Sequence, residues 1–576
     1  MISTPDLTFL HAPSVYDFRR RATLWGPISD VVPSTPVYDM YPIGFAVLSD
    51  YLERHGFRTR IFNLAVRMLR SDRFDAEQTI RRMRSRAFGI DLHWLPHAQG
   101  SLEVARLVRK HHPGTPIIFG GFSSTYFHEE LIRYPQVDYV VRGDSTEEPL
   151  RQLMECLRQG RVPVDVPNLT WKDAQGQVHV NPQTYMPPNL DHVDSGYRQM
   201  VRNVIRDVDL VSSVPFEHWL DYPAMAALTV RGCTLNCAIC GGSAKGHECM
   251  SGRTQPAFRD PEDLARDVRE ARRISRGPIF ILGELRLAGM DYARRFFDAV
   301  RGVAGPFMLE FFWPVSRDYA EELGSALPDF IVEFSPDSHD PAVRKAMNKG
   351  YTNEGIEETI RNCLAVGAKR FDLFFMIGLP QQTPASALET VDFCEHLIEA
   401  VDGDKRFIPF TAPLAPFLDP GSLAFENAEQ YGYTLHCRTL EEHRRALLAP
   451  TWKHILSYET EWMDRDAIAA TTYEAGRRLN RLKARHGIIT PEQAADTEDR
   501  IERALALMET IDHLIATRTP EEVEQEMLAM KDQIDRANTS TVCDKEELDV
   551  PVSWMPFNAF ELGKLGVSEV WRMLFR

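Results

Sequence analysis

Three cysteines lie close together in the stretch TVRGCTLNCAICGGS, where Cys233, Cys237 and Cys240 follow one another at spacings of four and three residues. A structural zinc site takes four protein ligands and usually two pairs of cysteines. This chain has no second pair at a suitable distance, and only His247 or Cys249 lies near enough in sequence to complete such a site. An iron–sulfur cluster held by three thiolates instead leaves one iron open to bind a substrate or cofactor. The spacing favours such a cluster, with zinc as the alternative.

The composition is that of an ordinary globular protein. The chain has 576 residues, is 44% hydrophobic and 26% charged, and carries a formal net charge of −16. Its length predicts about two to four domains. The acidic balance argues against a general nucleic-acid binder, because phosphate recognition needs a surplus of Lys and Arg. We find no signal peptide, no transmembrane run and no disulfide framework among the nine cysteines, which together predict a cytoplasmic protein.

Short apolar runs alternate with helical patterns in the first part of the chain. Five runs are predicted to be strands: LTFLHAP, TRIFNLA, AFGIDLHW, PIIFGG and DYVVRG. Their continuous apolar character is typical of parallel strands covered on both faces. Residues 1–165 are therefore predicted to form a doubly wound, Rossmann-like α/β domain. Such a sheet binds its ligand outside the carboxyl ends of its strands, where Gly120, Gly121 and Gly143 lie.

A second series of strands and helices follows a predicted hairpin and linker over residues 166–222. Six runs in residues 223–415 are predicted to be strands: AALTVRG, PIFILGE, FMLEFFW, DFIVEFS, RFDLFFMIG and RFIPFTAP. Six βα repeats indicate a partial TIM-type barrel, whose active site lies at the carboxyl ends of its strands. The cysteine loop follows the first of these strands, so it lies at the functional end.

Residues 416–576 are predicted to form a mainly helical domain that caps the barrel mouth and selects the substrate. The last part of this region is rich in aromatic residues, namely Trp554, Phe557, Phe560, Trp571 and Phe575. These aromatic side chains either pack against the catalytic domain or form a surface that meets a lipid or lipid-like substrate. Peripheral membrane contact is therefore the alternative to simple packing.

The C-x3-C-x2-C spacing after the first strand of a βα barrel resembles the radical S-adenosylmethionine (SAM) family. The resemblance implies a [4Fe-4S] cluster on Cys233, Cys237 and Cys240. It also implies that the open iron binds SAM and passes on an electron from an external donor of the flavodoxin or ferredoxin type. The SAM sulfonium then breaks to give a 5′-deoxyadenosyl radical.

Other stretches resemble the SAM contacts of the same family. ILGE resembles its Gly-Gly-Glu and implies that Glu284 accepts the SAM amino group. VEFS and FMIGLPQQT imply that Ser335 contacts the ribose and that Ile377 and Gly378 line the adenine. The chain departs from the family at Ile239, where an aromatic residue usually precedes the third cysteine.

Residues 1 to about 415 resemble a large subfamily in which a cobalamin-binding domain precedes the barrel. The stretches YPIGFAVLSDYLERHGF, PIIFGGFSST and DYVVRGDSTEEPL carry this resemblance. Many cobalamin domains also have Asp-x-His-x-x-Gly after the first strand, with the His bound to cobalt. Here Asp91-x-His93 follows the third strand and Pro96 replaces the Gly. Because the first and third strands are neighbours in the usual order, His93 or His97 is a candidate cobalt ligand, the alternative being a structural or substrate-facing histidine.

Together the two resemblances imply a cobalamin-dependent radical SAM enzyme, most simply a methyltransferase of the class B type. It would use one SAM to methylate cob(I)alamin and a second to form the radical. The methyl group would then pass from methylcobalamin to an unactivated carbon of a small-molecule or lipid substrate. One alternative is the same cofactor set without net methylation, for cyclisation, ring contraction or oxidation. Another is a sensor in which the cluster or cobalamin is regulatory.

Overall fold

The computed structural model describes residues 4–575, apart from residues 33, 415, 539–540, 551 and 553–554, with the backbone alone at residues 545 and 572–575. In this part of the chain two parallel sheets follow each other, and a mainly helical region packs against both. The predicted fold class, an α/β domain followed by a partial barrel and a helical C-terminal region, is confirmed.

The first sheet contains all five strands predicted for the N-terminal domain and both strands of the predicted hairpin. Its strands are β1 Leu7–His11, β2 Thr59–Asn63, β3 Phe88–Asp91, β4 Ile117–Gly120, β5 Tyr139–Val141, β6 Leu169–Lys172 and β7 Val178–Val180. The order is β2-β1-β3-β4-β5-β6-β7, with the first five strands parallel and the hairpin strands antiparallel. Because β1 and β3 are parallel neighbours, the residues that follow them lie side by side at the carboxyl ends of the strands.

Helices connect and cover these strands. They are α1 Ile43–Arg54, α2 Leu64–Arg70, α3 Ala76–Arg82, α4 Ala98–His111, α5 Phe122–Tyr126, α6 His128–Leu131 and α7 Glu147–Gln159. The predicted linker contains one further helix, α8 Tyr197–Asp207, which packs against α1.

The second sheet is an open barrel built from the six predicted strands. Its order is β15-β14-β13-β12-β11-β8, all parallel, and a small antiparallel ladder of β9 and β10 lies beside it. The strands are β8 Met225–Leu228, β9 Val230–Arg231, β10 Ala257–Phe258, β11 Ile279–Leu282, β12 Phe307–Phe311, β13 Phe330–Asp337, β14 Arg370–Ile377 and β15 Phe407–Pro413. The helices are α9 Ala244–Ser251, α10 Pro261–Ile274, α11 Met290–Val300, α12 Arg317–Ala326, α13 Pro341–Ala346, α14 Asn353–Ala365 and α15 Pro384–Ala400.

Side-chain alternation separates the two faces of each barrel strand. On β13, Phe330, Val332 and Phe334 are fully buried in the core beneath the helices. Burial of each of the two phenylalanine rings contributes about 2–3 kcal/mol to the free energy of unfolding. Because successive side chains of a strand point to opposite faces, Glu333 and Ser335 face the barrel lumen, and both are partly exposed. The lumen is therefore accessible to a ligand.

The C-terminal region is mainly helical and includes one short antiparallel hairpin, β16 Tyr433–Leu435 with β17 Tyr458–Thr460. Its helices are α16 Leu423–Glu426, α17 Leu440–Ala446, α18 Trp452–Ile455, α19 Arg465–Arg485, α20 Pro491–Thr517, α21 Pro520–Ala529, α22 Lys531–Ala537 and α23 Ala559–Phe575. Helix α19 packs on α15 and β15, and α23 packs on α8.

The C-terminal region contacts the amino end of the barrel as well as its mouth. Arg370, the first residue of β14, donates a hydrogen bond of 3.1 Å to the carbonyl of Asp549. Lys483 on α19 forms an ion pair of 2.9 Å with Glu547. These contacts seal the amino end of the lumen with polar groups.

The C-terminal aromatic residues have different surroundings. Phe557 packs against Trp219 with ring centroids 5.3 Å apart, whereas Phe560 and Trp571 are 71% and 63% exposed. Trp554 and the side chain of Phe575 lie outside the described residues. Within the described ranges, no helix is long and apolar enough to cross a membrane.

Candidate functional site

The cysteine loop lies at the carboxyl end of the barrel and is held by two other segments. The Ala238 N–H donates to the carbonyl of Met347 at 3.2 Å, and the Ala424 N–H donates to the carbonyl of Ala238 at 2.8 Å. The Gly241 N–H donates to Asp419 Oδ2 at 3.0 Å. The backbone around all three cysteines is therefore anchored by protein contacts.

The three cysteines differ in their exposure and contacts. Cys233 and Cys237 are partly buried and Cys240 is exposed, and the Leu235 N–H donates to Cys233 Sγ at 3.3 Å. Burial raises the pKa of the Cys233 and Cys237 thiols, so a bound metal would be needed to hold them as thiolates. No group of three or more His, Cys, Asp or Glu side chains among the described residues could hold a single metal ion.

The zinc alternative required His247 or Cys249 as a fourth ligand. His247 Nδ1 lies 3.2 Å from Asp144 Oδ2 in the N-terminal domain, and Arg253 forms a buried ion pair with the same carboxylate. His247 is thus directed to the domain interface. Cys249 is exposed on α9.

A row of carboxyl groups crosses the barrel lumen on three neighbouring strands. Glu310, Glu333 and Asp372 lie opposite one another in register. Glu310 accepts a hydrogen bond of 2.9 Å from the Gly283 N–H, and Asp372 pairs with Arg370 at 2.7 Å. Glu333 accepts no hydrogen bond from any residue that the structure describes. Burial, followed by the charge of Asp372, raises the pKa of Glu333 to about 8, so Glu333 holds a proton at neutral pH.

Glu284, the predicted SAM contact, faces away from the lumen. Its carboxylate is buried and binds Arg286 through both oxygens, at 2.8 and 2.7 Å. The guanidinium of Arg286 lies over the rings of Phe311 and Tyr319, on the helix-covered side of the sheet. The carboxylate beside the Gly283 amide on the lumen side is Glu310, which the sequence reasoning missed. The signal was a lone charged residue inside the apolar strand FMLEFF.

The other predicted SAM contacts are distributed over β13 and β14. Ser335 lies on the lumen face, and its carbonyl accepts a hydrogen bond of 2.6 Å from Lys349. The Ile377 side chain is buried in the helix-side core. At Gly378, φ is +100° and a Cβ would lie 2.9 Å from the Tyr458 hydroxyl, so packing of that ring requires a glycine.

Three histidines and one aspartate gather at the carboxyl ends of β1 and β3. Asp91 lies 3.1 Å from Nδ1 of His11 and accepts from Nδ1 of His93 at 2.7 Å. The ring of His97 lies 4.9 Å from that of His11 and 4.7 Å from that of His93. The sequence reasoning identified His93 and His97 but missed His11, which ends the run LTFLH on the neighbouring strand.

The hydrogen bonds determine the roles of these histidines. Nε2 of His11 lies 3.2 Å from the carbonyl of Tyr38, so both ring nitrogens of His11 face oxygen acceptors. Burial, followed by the charge of His93, lowers the pKa of His97, which is therefore neutral. The His93 side chain is 27% exposed. Since its Nδ1 is bound to Asp91, its open nitrogen is Nε2.

The three predicted glycines lie along the same edge of the sheet, and one of them contacts the histidine loop. At Gly121, φ is +110° and a Cβ would lie 2.4 Å from Cα of His93, so the histidine loop packs directly on this glycine. At Gly120 the nearest atom to a Cβ would be the carbonyl oxygen of Val141 at 3.8 Å, which leaves room for a ligand. Gly143 lies farther along the same edge, with φ of +105° and a Cβ site 3.3 Å from Asn168.

The histidine loop and the cysteine loop are neighbours across the domain interface. Trp94, the residue after His93, donates from Nε1 to Asp419 Oδ1 at 3.3 Å. The other oxygen of Asp419 accepts the Gly241 N–H, one residue after Cys240. Elsewhere in the interface, Arg231 of β9 pairs with the buried Glu147 of α7.

Two family models match the chain. Residues 30–152 match the B12 binding domain, and residues 228–394 match the Radical SAM superfamily. Among curated protein sequences no match was found.

Solved structures with the same overall fold are also similar. One is the radical S-adenosylmethionine methyltransferase TsrM from Kitasatospora setae, solved with tryptophan substrate and a SAM analogue. It is 17% identical with a TM-score of 0.55, over 85% of this chain and 90% of that chain. Another is OxsB, a cobalamin-dependent S-adenosylmethionine radical enzyme solved with aqua-cobalamin and SAM. OxsB is 13% identical with a TM-score of 0.55, over 99% of this chain and 84% of that chain. These likenesses concern the fold.

Proposed function

We propose that this chain, which belongs to the cobalamin-binding radical SAM enzyme family, transfers a methyl group from methylcobalamin to an unactivated carbon of a small-molecule or lipid substrate. One observation carries the proposal: Asp419 binds both Trp94 of the histidine loop and Gly241 of the cysteine loop. The cysteine loop would hold the cofactors that supply the radical and the histidine loop the cofactor that supplies the methyl group, and both would have to serve one substrate carbon. Adjacent loops meet that requirement.

Three cofactors fit the residues of this site. When bound, the cluster and SAM supply a carbon-centred radical, and cobalamin supplies the methyl group. Cys233, Cys237 and Cys240 would hold the cluster, with the Leu235 N–H stabilising the thiolate of Cys233. A bond from a backbone N–H to sulfur raises the reduction potential of such a cluster. An external flavodoxin- or ferredoxin-type protein would deliver the electron.

The lumen face next to the cysteine loop suits SAM. Glu310 is the carboxylate that would accept the SAM amino group, and Ser335 lies two residues beyond Glu333 on the strand that would meet the ribose. Glu284 would act indirectly, because it holds Arg286, which donates to the carbonyls of Trp313 and Pro314 after β12. Gly378 would line the adenine through its backbone, since the Ile377 side chain is buried on the other face.

The histidine cluster suits the lower face of a corrin. Asp91 accepts the Nδ1 proton of His93, which leaves the Nε2 lone pair of His93 available as a cobalt ligand. Nδ1 of His11 lies 3.1 Å from both oxygens of Asp91, which helps to hold the carboxylate in place. Gly120 leaves space at the strand end for the macrocycle or its nucleotide tail.

The substrate would enter the lumen between these sites. Phe374 and Phe410 stack there with ring centroids 5.1 Å apart, and the polar contacts of Arg370 and Lys483 seal the amino end. Protonated Glu333 would present a hydrogen-bond donor to the substrate and keep a negative charge out of the lumen. The closed end excludes water from the space where a radical must be protected.

The test is anaerobic reconstitution of the full chain with iron, sulfide and hydroxocobalamin. The protein is then incubated with SAM carrying a labelled methyl group, a chemical reductant and a metabolite extract from a strain lacking the gene. We expect 5′-deoxyadenosine, S-adenosylhomocysteine and one product that carries the label, and neither 5′-deoxyadenosine nor the labelled product with Cys237→Ala. Deoxyadenosine with an unlabelled product would favour the non-methylating alternative, and no cleavage of SAM would favour the sensor.

A further inference from the structure

Residues 419–426, here called the bridge segment, connect the N-terminal domain to the cysteine loop through two carboxylates. Asp419 accepts from Trp94 Nε1 at 3.3 Å and from the Gly241 N–H at 3.0 Å. At the other end, Glu426 accepts from the Tyr126 hydroxyl at 2.7 Å and from the Gly421 N–H at 3.1 Å. Asp419 thus joins a side chain of the N-terminal domain to a backbone amide of the cysteine loop, whereas Glu426 joins Tyr126 of the N-terminal domain to the bridge segment itself.

The bridge segment also packs closely against the cysteine loop. The Ala424 N–H donates to the carbonyl of Ala238, between the second and third cysteines. A Cβ at Gly241 would lie 2.8 Å from Cβ of Asp419, which shows how closely the two segments approach. Ser422 caps the short helix α16 and fixes the turn between Asp419 and Ala424. Movement at one end of the segment must therefore displace the other.

We propose that the bridge segment couples the two cofactor sites, with Asp419 as the positioning residue. The inference rests on the proposed function, because it assumes that both cofactors bind. A shift of the histidine loop on cobalamin binding acts through Trp94 on the same carboxylate that orients Gly241, next to Cys240. By thermodynamic linkage, a cluster on the cysteines must then tighten cobalamin binding by the same factor as cobalamin favours the cluster-bound loop.

Asp419 also places a negative charge beside the third cysteine. Burial raises the pKa of the Asp419 carboxyl, and the two N–H groups that its oxygens accept oppose this shift by favouring the charged form. A negative charge near a cluster opposes the addition of an electron. Asp419 therefore lowers the reduction potential of the cluster, and Asp419→Asn, which has nearly the same shape, removes that effect.

The experiment compares three full-length proteins: wild type, Asp419→Asn and Trp94→Phe. Hydroxocobalamin affinity is measured for each with and without the reconstituted cluster, and the cluster midpoint potential is measured by an EPR-monitored redox titration. In the wild type we expect the cluster to tighten binding about tenfold, the size of one hydrogen bond to a charged group. Both substitutions should bring that ratio close to one. Only Asp419→Asn should raise the midpoint potential, because Trp94→Phe removes a donor and leaves the charge.

The outcomes distinguish a failure of the proposed coupling from a failure of the proposed function. Equal affinity ratios in all three proteins would overturn the coupling, and an unchanged potential in Asp419→Asn would overturn the charge effect. If Asp419→Asn fails to fold, Trp94→Phe still tests the coupling, and Asp419→Glu tests the charge through retention of the low potential. A wild-type chain that takes up neither cluster nor cobalamin would instead refute the proposed function itself.

Discussion

The protonation of Glu333 makes the stability of the barrel depend on pH. Its native pKa of about 8 lies above the ordinary value of 4.5, so between these pH values the folded chain binds a proton that the unfolded chain has lost. The free energy of unfolding must therefore fall as the pH rises through this window. The substitution Glu333→Gln keeps the shape of the protonated side chain and cannot ionise, so it should remove this part of the pH dependence.

The magnitude follows from the same two values. Each pH unit above the unfolded pKa costs about 1.4 kcal/mol until the folded pKa is reached. Between about pH 5.5 and pH 7.5 the full cost is about 3 kcal/mol, and the partial exposure of the Glu333 side chain reduces it to about 2 kcal/mol. For a domain the size of the barrel, a loss of about 2 kcal/mol lowers the melting temperature by roughly 4–8 °C.

The assay is thermal unfolding of wild type and Glu333→Gln at both pH values, followed by circular dichroism. The melting temperature of Glu333→Gln minus that of wild type should increase by several degrees from the lower to the higher pH. Glu322→Gln is the control, because Arg294 holds the pKa of that surface carboxyl below its ordinary value and no such gain is expected. A difference that stays constant with pH would refute the protonated state of Glu333.

Further predictions concern the cofactor sites. Cys237→Ser should lose most of the iron and the visible absorption that wild type gains on anaerobic reconstitution; equal iron content would contradict the cluster assignment. His93→Ala should abolish the nitrogen splitting in the EPR spectrum of bound cob(II)alamin, whereas His97→Ala should retain it; a wild-type spectrum without that splitting would refute His93 as ligand. Gly121→Ala places a methyl group 2.4 Å from the backbone of His93. It should weaken hydroxocobalamin binding by about tenfold or more with no loss of iron, while Gly114→Ala, where a Cβ meets no atom within 4 Å, serves as the matched control.

Local patterns were enough to predict the strands of both sheets. Each barrel strand is a short apolar run bounded by polar or glycine residues, and each alternates with a helix, so periodicity alone indicates its type. The starts of helices were equally clear from their local chemistry. Asp260 accepts from the first amides of α10 with Pro261 at the first helical position, and Thr519 with Glu522 forms a capping box at the start of α21, both of which are recognisable N-terminal patterns.

The cysteine loop was likewise determined by sequence, because three thiols within one short loop must lie near one another in any fold. The choice between Glu284 and Glu310 was not. Glu284 follows β11 and Glu310 lies on the neighbouring strand β12, and which of them faces the lumen depends on the turn after β11. In the folded chain the ion pair with Arg286 holds Glu284 on the helix-covered side of the sheet. No local pattern in the sequence indicates this pairing.

Contacts between distant segments were decided by the tertiary structure alone. His11 joins Asp91 across 80 residues of sequence, and Trp94 joins Asp419 across 325. A single hydrogen bond leaves no periodic trace in the sequence, since it constrains one side chain at each end and nothing between them. The sequence by itself determined which chemical groups this protein carries and the strand ends at which most of them lie. The packing of two domains and one bridge segment decided which of those groups meet.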